Sequence, residues 1–184
     1  MSKKTAFIIH GVEGYPEENW FPWLKAELEK EGYQVFVPQF PTPEGQTLEN
    51  WLKAFEPYEK YCGEETIAIG HSLGSPFVVN LLEKLKFKAF FSVAGYIDST
   101  GNVFEKTMST FTARNFDWEK IRENCKNFYV FHSDNDEYNG LDKAQQLAEK
   151  LNTQVIVVSG AGHFNTKAGY TKFPLLLEKI KTLI

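Results

Sequence analysis

Cysteine is scarce: the 184 residues hold two, Cys62 and Cys125. They lie far apart, in no metal-ligand spacing, so neither a disulfide framework nor a cysteine-built metal site is expected, and free thiols in a reducing cytoplasm are. Long apolar runs are missing as well. Nothing approaches the ~18 consecutive apolar residues of a membrane span. The run that follows Met1-Ser2-Lys3-Lys4, Ala6 to Ile9, is shorter than the roughly 7–15 residues of a secretory core. Basic clusters are also absent. Lys and Arg number 20 against 24 Asp and Glu, a formal charge of −4, so the chain lacks the positive footprint that a phosphate backbone requires, and nucleic acid is excluded as an expected partner. No internal repeat, low-complexity tract or linker divides the sequence, which reads as one domain over residues 1–184.

What is present is a core-forming composition. Hydrophobic residues make up 42% and charged residues 24%, close to the globular average and far from the signature of disorder. A chain of this length can bury roughly 70% of the surface that it exposes when unfolded. Short runs rich in Val, Ile and Phe alternate with longer segments of helical period, the pattern of a parallel sheet wrapped by crossover helices. Six strands are read near 5–10, 34–38, 66–71, 88–93, 127–132 and 153–159. Helices are read near 20–31, 47–61, 73–86, 141–151 and 172–183. The expectation is a six-stranded, mostly parallel sheet with helices on both faces and a minimal cap. Ligands of such sheets gather outside the carboxyl ends of the strands, so functional residues should follow strands. Residues 95–116 read as irregular, and Tyr96, Phe104, Phe111 and Phe116 would make this segment either a small cap or an ordinary packed connection.

One five-residue segment carries chemistry. Gly70-His71-Ser72-Leu73-Gly74 has the form Gly-x-Ser-x-Gly, which sets a serine on a sharp turn between a strand and a helix. Three fixed positions recur by chance about 0.06 times in a chain this long if Gly and Ser each occur at roughly 7%, so the setting matters more than the pattern. Thr66-Ile67-Ala68-Ile69 enters as a β-like run and Leu73 onward reads as helix. Pro76 falls in the first turn, where proline is tolerated. Ser72 is therefore the candidate nucleophile.

A serine hydroxyl needs a base, and the base needs an orienting group. In α/β-hydrolases, where such elbows occur, the order along the chain is Ser, acid, His. Of the two histidines after Ser72, His132 ends a strand ahead of the acidic loop, whereas His163 follows the last strand in Gly160-Ala161-Gly162-His163-Phe164, so His163 is the candidate base. The acid comes from Ser133-Asp134-Asn135-Asp136-Glu137. Asp136 is preferred, because a short carboxylate a few residues past the strand can turn toward the His163 loop. Asp134 is its rival, and Asp98, after the fourth strand, is a weaker candidate. Oxyanion donors are expected from the backbone N–H of Leu73, after the nucleophile, and of Val12 in the loop His10-Gly11-Val12-Glu13-Gly14. His10 either shares in the chemistry or braces that loop.

With these residues in place, the chain resembles the YdeN-like small serine hydrolases, the family that includes the retinoblastoma-binding serine hydrolase. The resemblance spans nearly the whole chain. It is carried by His10-Gly11 with Trp20-Phe21-Pro22-Trp23-Leu24 beyond, the proline-spaced stretch Pro38 to Pro43 with Trp51 following, the segment around Ser72, and Gly162-His163-Phe164. It implies an α/β-hydrolase fold, a Ser-Asp-His triad with Asp136 as acid, no cofactor, and carboxylesterase-like action on a small ester, with an amide or thioester as the alternatives. Trp20 and Tyr96 are candidates for the substrate pocket, although an aromatic residue near a helix start is more often core. Two departures stand out. Glu137-Tyr138-Asn139-Gly140 replaces the usual apolar residues and proline after the acid. Lys60-Tyr61-Cys62-Gly63-Glu64 lacks the leucine of a Leu-x-Cys-x-Glu segment, so that protein-binding role is not carried over. The competing expectation is a binding module on a hydrolase scaffold whose chemistry is weak or lost.

Overall fold

The computed structural model describes residues 4–101 and 103–183. Six strands form one sheet: β1 (Thr5–Ile9), β2 (Gln34–Phe36), β3 (Gly63–His71), β4 (Phe87–Val93), β5 (Cys125–Ser133) and β6 (Val155–Val158). Their order is β2-β1-β3-β4-β5-β6, and every pairing is parallel. Every residue of β1 is buried, as expected of a strand covered on both faces. Its side chains alternate, Phe7 and Ile9 on one face, Ala6 and Ile8 on the other.

Among the described residues, seven α-helices cover the sheet. On one face lie α1 (Phe21–Lys30) and α7 (Pro174–Lys181). On the other lie α2 (Leu48–Phe55), α3 (Gly74–Leu82), α4 (Glu105–Thr112), α5 (Trp118–Asn124) and α6 (Leu141–Lys150). Among the described residues no helix is long and apolar enough to cross a membrane. Helix α3 is buried along its whole length between β3, β4, α4 and α5. Phe77 on α3 packs its ring against those of Phe40, Trp51, Phe55 and Phe111, so one side chain ties α2, α3 and α4 together on that face of the sheet.

Two departures from the sequence reading have local causes. The helix read over 47–61 is α-helical only to Phe55 and continues as a 3-10 turn over Glu56–Tyr61, because Pro57 lacks the N–H that an α-turn needs and its ring crowds the carbonyl four residues earlier. The segment read as irregular contains α4, and α5 follows it. Helix α4 is rich in Thr and Ser and has no side-chain N-cap, so its local propensity is weak. Packing holds it instead: Met108 and Phe111 are buried, and Asn80 of α3 donates to the Phe111 carbonyl (3.0 Å) while accepting from Arg114 (3.0 Å). Helix α5 did carry a signal, since Asp117 caps it by accepting from Lys120 N–H at 3.0 Å.

The chain runs from β1 outward to β2, then back past β1 to β3 and away on the other side. The reversal opens a crevice between the carboxyl ends of β1 and β3, the point at which open parallel sheets bind ligands.

Candidate active site

Ser72 stands at that crevice in a left-handed conformation, φ 51°, which is unfavourable for an L-residue by ~1–2 kcal/mol and persists only where its surroundings impose it. The impositions are identifiable. Ser72 N–H donates to the Val93 carbonyl (2.9 Å) and its own carbonyl accepts from Ser75 N–H (3.0 Å). The flanking glycines are required by close approach. A Cβ on Gly70 would sit 2.6 Å from the Gly74 carbonyl oxygen, and one on Gly74 would strike the Ile9 carbonyl. Helix α3 begins immediately after, with Leu73 at its N-cap.

The loop after β1 lies against the nucleophile. A Cβ on Gly11 would be 3.0 Å from Ser72 Cβ, and Val12 lines the same cleft. His10 braces this loop. Its Nε2 accepts from Phe40 N–H (3.0 Å), so the ring proton is on Nδ1, which donates to the Gly11 carbonyl (2.8 Å). Burial pushes its pKa down to about 4, against a small opposing effect of the Gly11 bond, so the ring is neutral. Of the two roles open to His10, the geometry assigns bracing.

Three neighbouring side chains of the β5 loop hold three parts of the β6 loop. Asp134 accepts from Ser159 Oγ (2.7 Å) and Gly160 N–H (2.8 Å), Asn135 from Gly162 N–H (2.8 Å), and Asp136 from His163 Nδ1 (2.8 Å). Asp136 also accepts from Tyr138 N–H (2.8 Å) and Asn139 N–H (3.2 Å). Burial alone would raise its pKa, but the His163 hydrogen bond and charge and the two backbone donors outweigh that and hold it below the ordinary value. A carboxylate facing Nδ1 fixes the proton there and leaves Nε2 as the acceptor. His132 lies 3.9 Å from Asp136 but is kept neutral by burial and donates to the Asn139 carbonyl (2.9 Å), so it forms no ion pair. Asp98 is exposed and accepts from its neighbour Ser99 N–H (2.7 Å).

Ser72 and His163 share a cleft of about 320 Å³ whose walls include Val12, Tyr15, Phe104 and Met108. A family model described as serine hydrolase matches residues 6–182. The chain belongs to the serine hydrolase family. It is 32% identical to YdeN of Bacillus subtilis (strain 168) over 181 residues, 95% of this chain and 93% of that one. It is 29% identical to the serine hydrolase RBBP9 of Rattus norvegicus over 186 residues, 100% of this chain and 97% of that one. The crystal structure of the ydeN gene product from B. subtilis superposes with a TM-score of 0.91 at 29% identity, covering 98% of each chain. The fold is that of the α/β-hydrolases.

Around this cleft, two sequence-based expectations are corrected. Trp20 and Tyr96 do not line the cleft; both are buried. The Trp20 indole N–H donates to the Phe164 carbonyl at 3.0 Å, which draws the ring into the packing between α1 and the β6 loop. The Tyr96 hydroxyl donates to Met108 Sδ, so Tyr96 stands one layer behind the wall that Met108 forms. Among the cleft residues that sequence reasoning did not assign to the site are Met108, Tyr138, Glu18 and His71. Tyr138 is one of the residues replacing the apolar pattern after the acid, and its ring lies edge-on to His163 at 4.8 Å. The departure leaves the acid loop anchored, because Asn139 Nδ2 donates to the Ala94 carbonyl (2.9 Å). Glu18 is half-buried at the cleft, and burial, partly opposed by the Tyr15 backbone N–H, pushes its pKa up to about 7.

Proposed function

We propose that the chain is a carboxylesterase-like serine hydrolase that cleaves a small ester through an acyl-enzyme on Ser72. The observation that carries this reading is the 2.8 Å bond from His163 Nδ1 to the buried Asp136 carboxylate in the cleft that holds a serine at φ 51°. His163 Nε2 takes the Ser72 proton as Oγ attacks the ester carbonyl carbon. The carbonyl π electrons move to oxygen, and the tetrahedral oxyanion is received by the N–H groups of Val12 and Leu73, a contribution of about 10²–10³ in rate for each such donor. Because α3 begins at this point, its positive dipole end favours the same charge. Collapse breaks the bond to the leaving alcohol, which takes the proton from His163. Water, deprotonated by His163, then attacks the acyl carbonyl carbon, and collapse breaks the acyl–Oγ bond, releasing the acid while His163 returns the proton to Ser72. Asp136 holds the imidazole in the required tautomer throughout and stabilises the imidazolium.

Phe104, Met108 and Tyr138 give the cleft an apolar wall, suited to a compact acyl group. Cys62 and Cys125 are free thiols whose pKa values burial pushes up to about 12, which fits inert residues in a cytoplasmic setting. The test is a panel of p-nitrophenyl esters graded by acyl length, run on the native protein and on Ser72→Ala and His163→Ala. Turnover of the shorter esters that falls by about 10⁴–10⁶ in the variants is expected. Absence of turnover, or turnover unchanged in Ser72→Ala, would leave a binding module as the better reading.

A further inference from the structure

We propose that His71 is the positioning residue for His163: the imidazole that precedes the nucleophile in sequence fixes the stretch of backbone on which the base is mounted. The inference rests on the roles given to Ser72 and His163 above.

His163 sits between two residues of left-handed conformation, Gly162 at φ 55° and Phe164 at φ 51°. A phenylalanine does not adopt that region by preference, so contacts must impose the loop's shape. Four side chains supply them. Asn135 accepts from Gly162 N–H (2.8 Å), and Asp136 accepts from the His163 ring (2.8 Å). Trp20 donates to the Phe164 carbonyl (3.0 Å), and His71 Nε2 meets the His163 carbonyl at 2.8 Å. A carbonyl can only accept, so His71 Nε2 carries the proton and donates.

These contacts are not equivalent. Asn135 and Asp136 belong to the loop after β5, which β4 separates from the nucleophile strand β3. Trp20 is the N-cap residue of α1. They locate the base relative to the acid and to the helical layer. His71 is covalently joined to Ser72, so its hydrogen bond is the shortest bonded route between nucleophile and base. A displacement of about 1 Å between reacting groups can lower a rate 10²-fold.

The chemistry of the side chain suits the task. His71 is 4% exposed, with Trp20 and Phe21 packed edge-on against its ring, so its imidazole is held in place by packing. Among the described residues its buried Nδ1 has no partner, a cost that a purely structural residue would shed by becoming apolar. Burial, followed by the nearby His163, pushes its pKa down to about 3. The donor therefore stays neutral beside a base that becomes cationic in each cycle, with the two ring centroids 4.9 Å apart.

The test compares kcat and KM for the native protein, His71→Leu, His71→Gln and His71→Asn on one p-nitrophenyl ester, with a thermal melt of each. The glutamine amide nitrogen can occupy the position of Nε2, whereas the shorter asparagine cannot reach the carbonyl. Expected for His71→Leu and His71→Asn is a kcat lowered about 10–100-fold with KM within about threefold of native. His71→Gln should restore most of the loss. If His71→Leu does not fold, the glutamine and asparagine variants decide the matter, because both are polar and smaller than histidine. Native kcat in the asparagine variant, or equal impairment in the glutamine and asparagine variants, would overturn the inference. A native protein without Ser72-dependent turnover would instead overturn the functional reading, and this inference with it.

Discussion

Asp136→Asn exchanges one carboxylate oxygen for an amide nitrogen and leaves the shape of the acid loop unchanged. In the native fold Oδ1 of this residue accepts from the backbone N–H groups of Tyr138 and Asn139, and Oδ2 accepts from His163 Nδ1 at 2.8 Å. An asparagine that keeps its oxygen on the two backbone donors must turn its NH₂ group toward His163. The imidazole then presents Nδ1 as acceptor, and its proton moves to Nε2, where the Ser72 proton has to arrive. The same exchange in a triad of this type lowers kcat by about 10⁴, equivalent to about 5.5 kcal/mol of barrier. Asp134→Asn is the matched control. Asp134 accepts from Ser159 Oγ and Gly160 N–H, is exposed, and among the described residues it is Asp136, not Asp134, that bonds the His163 ring. Its loss should alter kcat by less than about tenfold, within about 1.4 kcal/mol. Initial rates on a short p-nitrophenyl ester, with circular dichroism to verify folding, separate the two. Equal losses in both variants, or the larger loss in Asp134→Asn, would refute the assignment of Asp136.

Phe77→Ala removes the ring that joins four aromatic neighbours and should destabilise the fold by about 3–5 kcal/mol, lowering Tm by roughly 10 °C; a shift under 3 °C would contradict the account of the core. Stability should fall as pH drops from 7 to 5. His10 and His71, held near 4 and 3 in the fold, stay unprotonated there, while their unfolded counterparts take up protons below about 6.5. Each then removes about 2 kcal/mol by pH 5, and urea titrations that give the same unfolding free energy at both pH values would be against this. Glu18 acts in the opposite sense, because its native carboxyl, raised to about 7, holds a proton that the unfolded chain releases above about 4.5. Glu18→Gln should therefore stabilise at pH 8 but not at pH 5, by about 1–2 kcal/mol after allowance for its partial exposure, and a gain at pH 5 alone would reverse the assigned sign.

The sheet and the three loops carrying Ser72, Asp136 and His163 could be located from sequence because their signals are local. Runs such as Thr66-Ile67-Ala68-Ile69 declare strands by composition, and Gly70 and Gly74 mark a turn that admits no other residue. What escaped was set by partners distant in the chain. Helix α4 owes its form to α3 and to Asn80, so Met108 gave no hint that it would face the cleft. Trp20 read as a candidate pocket wall because aromatic character does not tell which way a ring turns, and the bond that turns it comes from Phe164, 144 residues away. His71 occupies an unspecified position of the Gly-x-Ser-x-Gly pattern, and its partner lies 92 residues downstream. The carboxylates of the β5 loop were ambiguous for a related reason: Asp134 and Asp136 both bind the β6 loop, and only the partner of each tells them apart.

The nucleophilic character of Ser72 is read out by intact-mass and peptide mass spectrometry of the protein after exposure to a fluorophosphonate. A single adduct is expected on the peptide bearing Ser72, absent in Ser72→Ala and formed at least 100-fold more slowly in His163→Ala. An unmodified native protein, or an adduct that persists in Ser72→Ala, would mean that Ser72 is not the nucleophile.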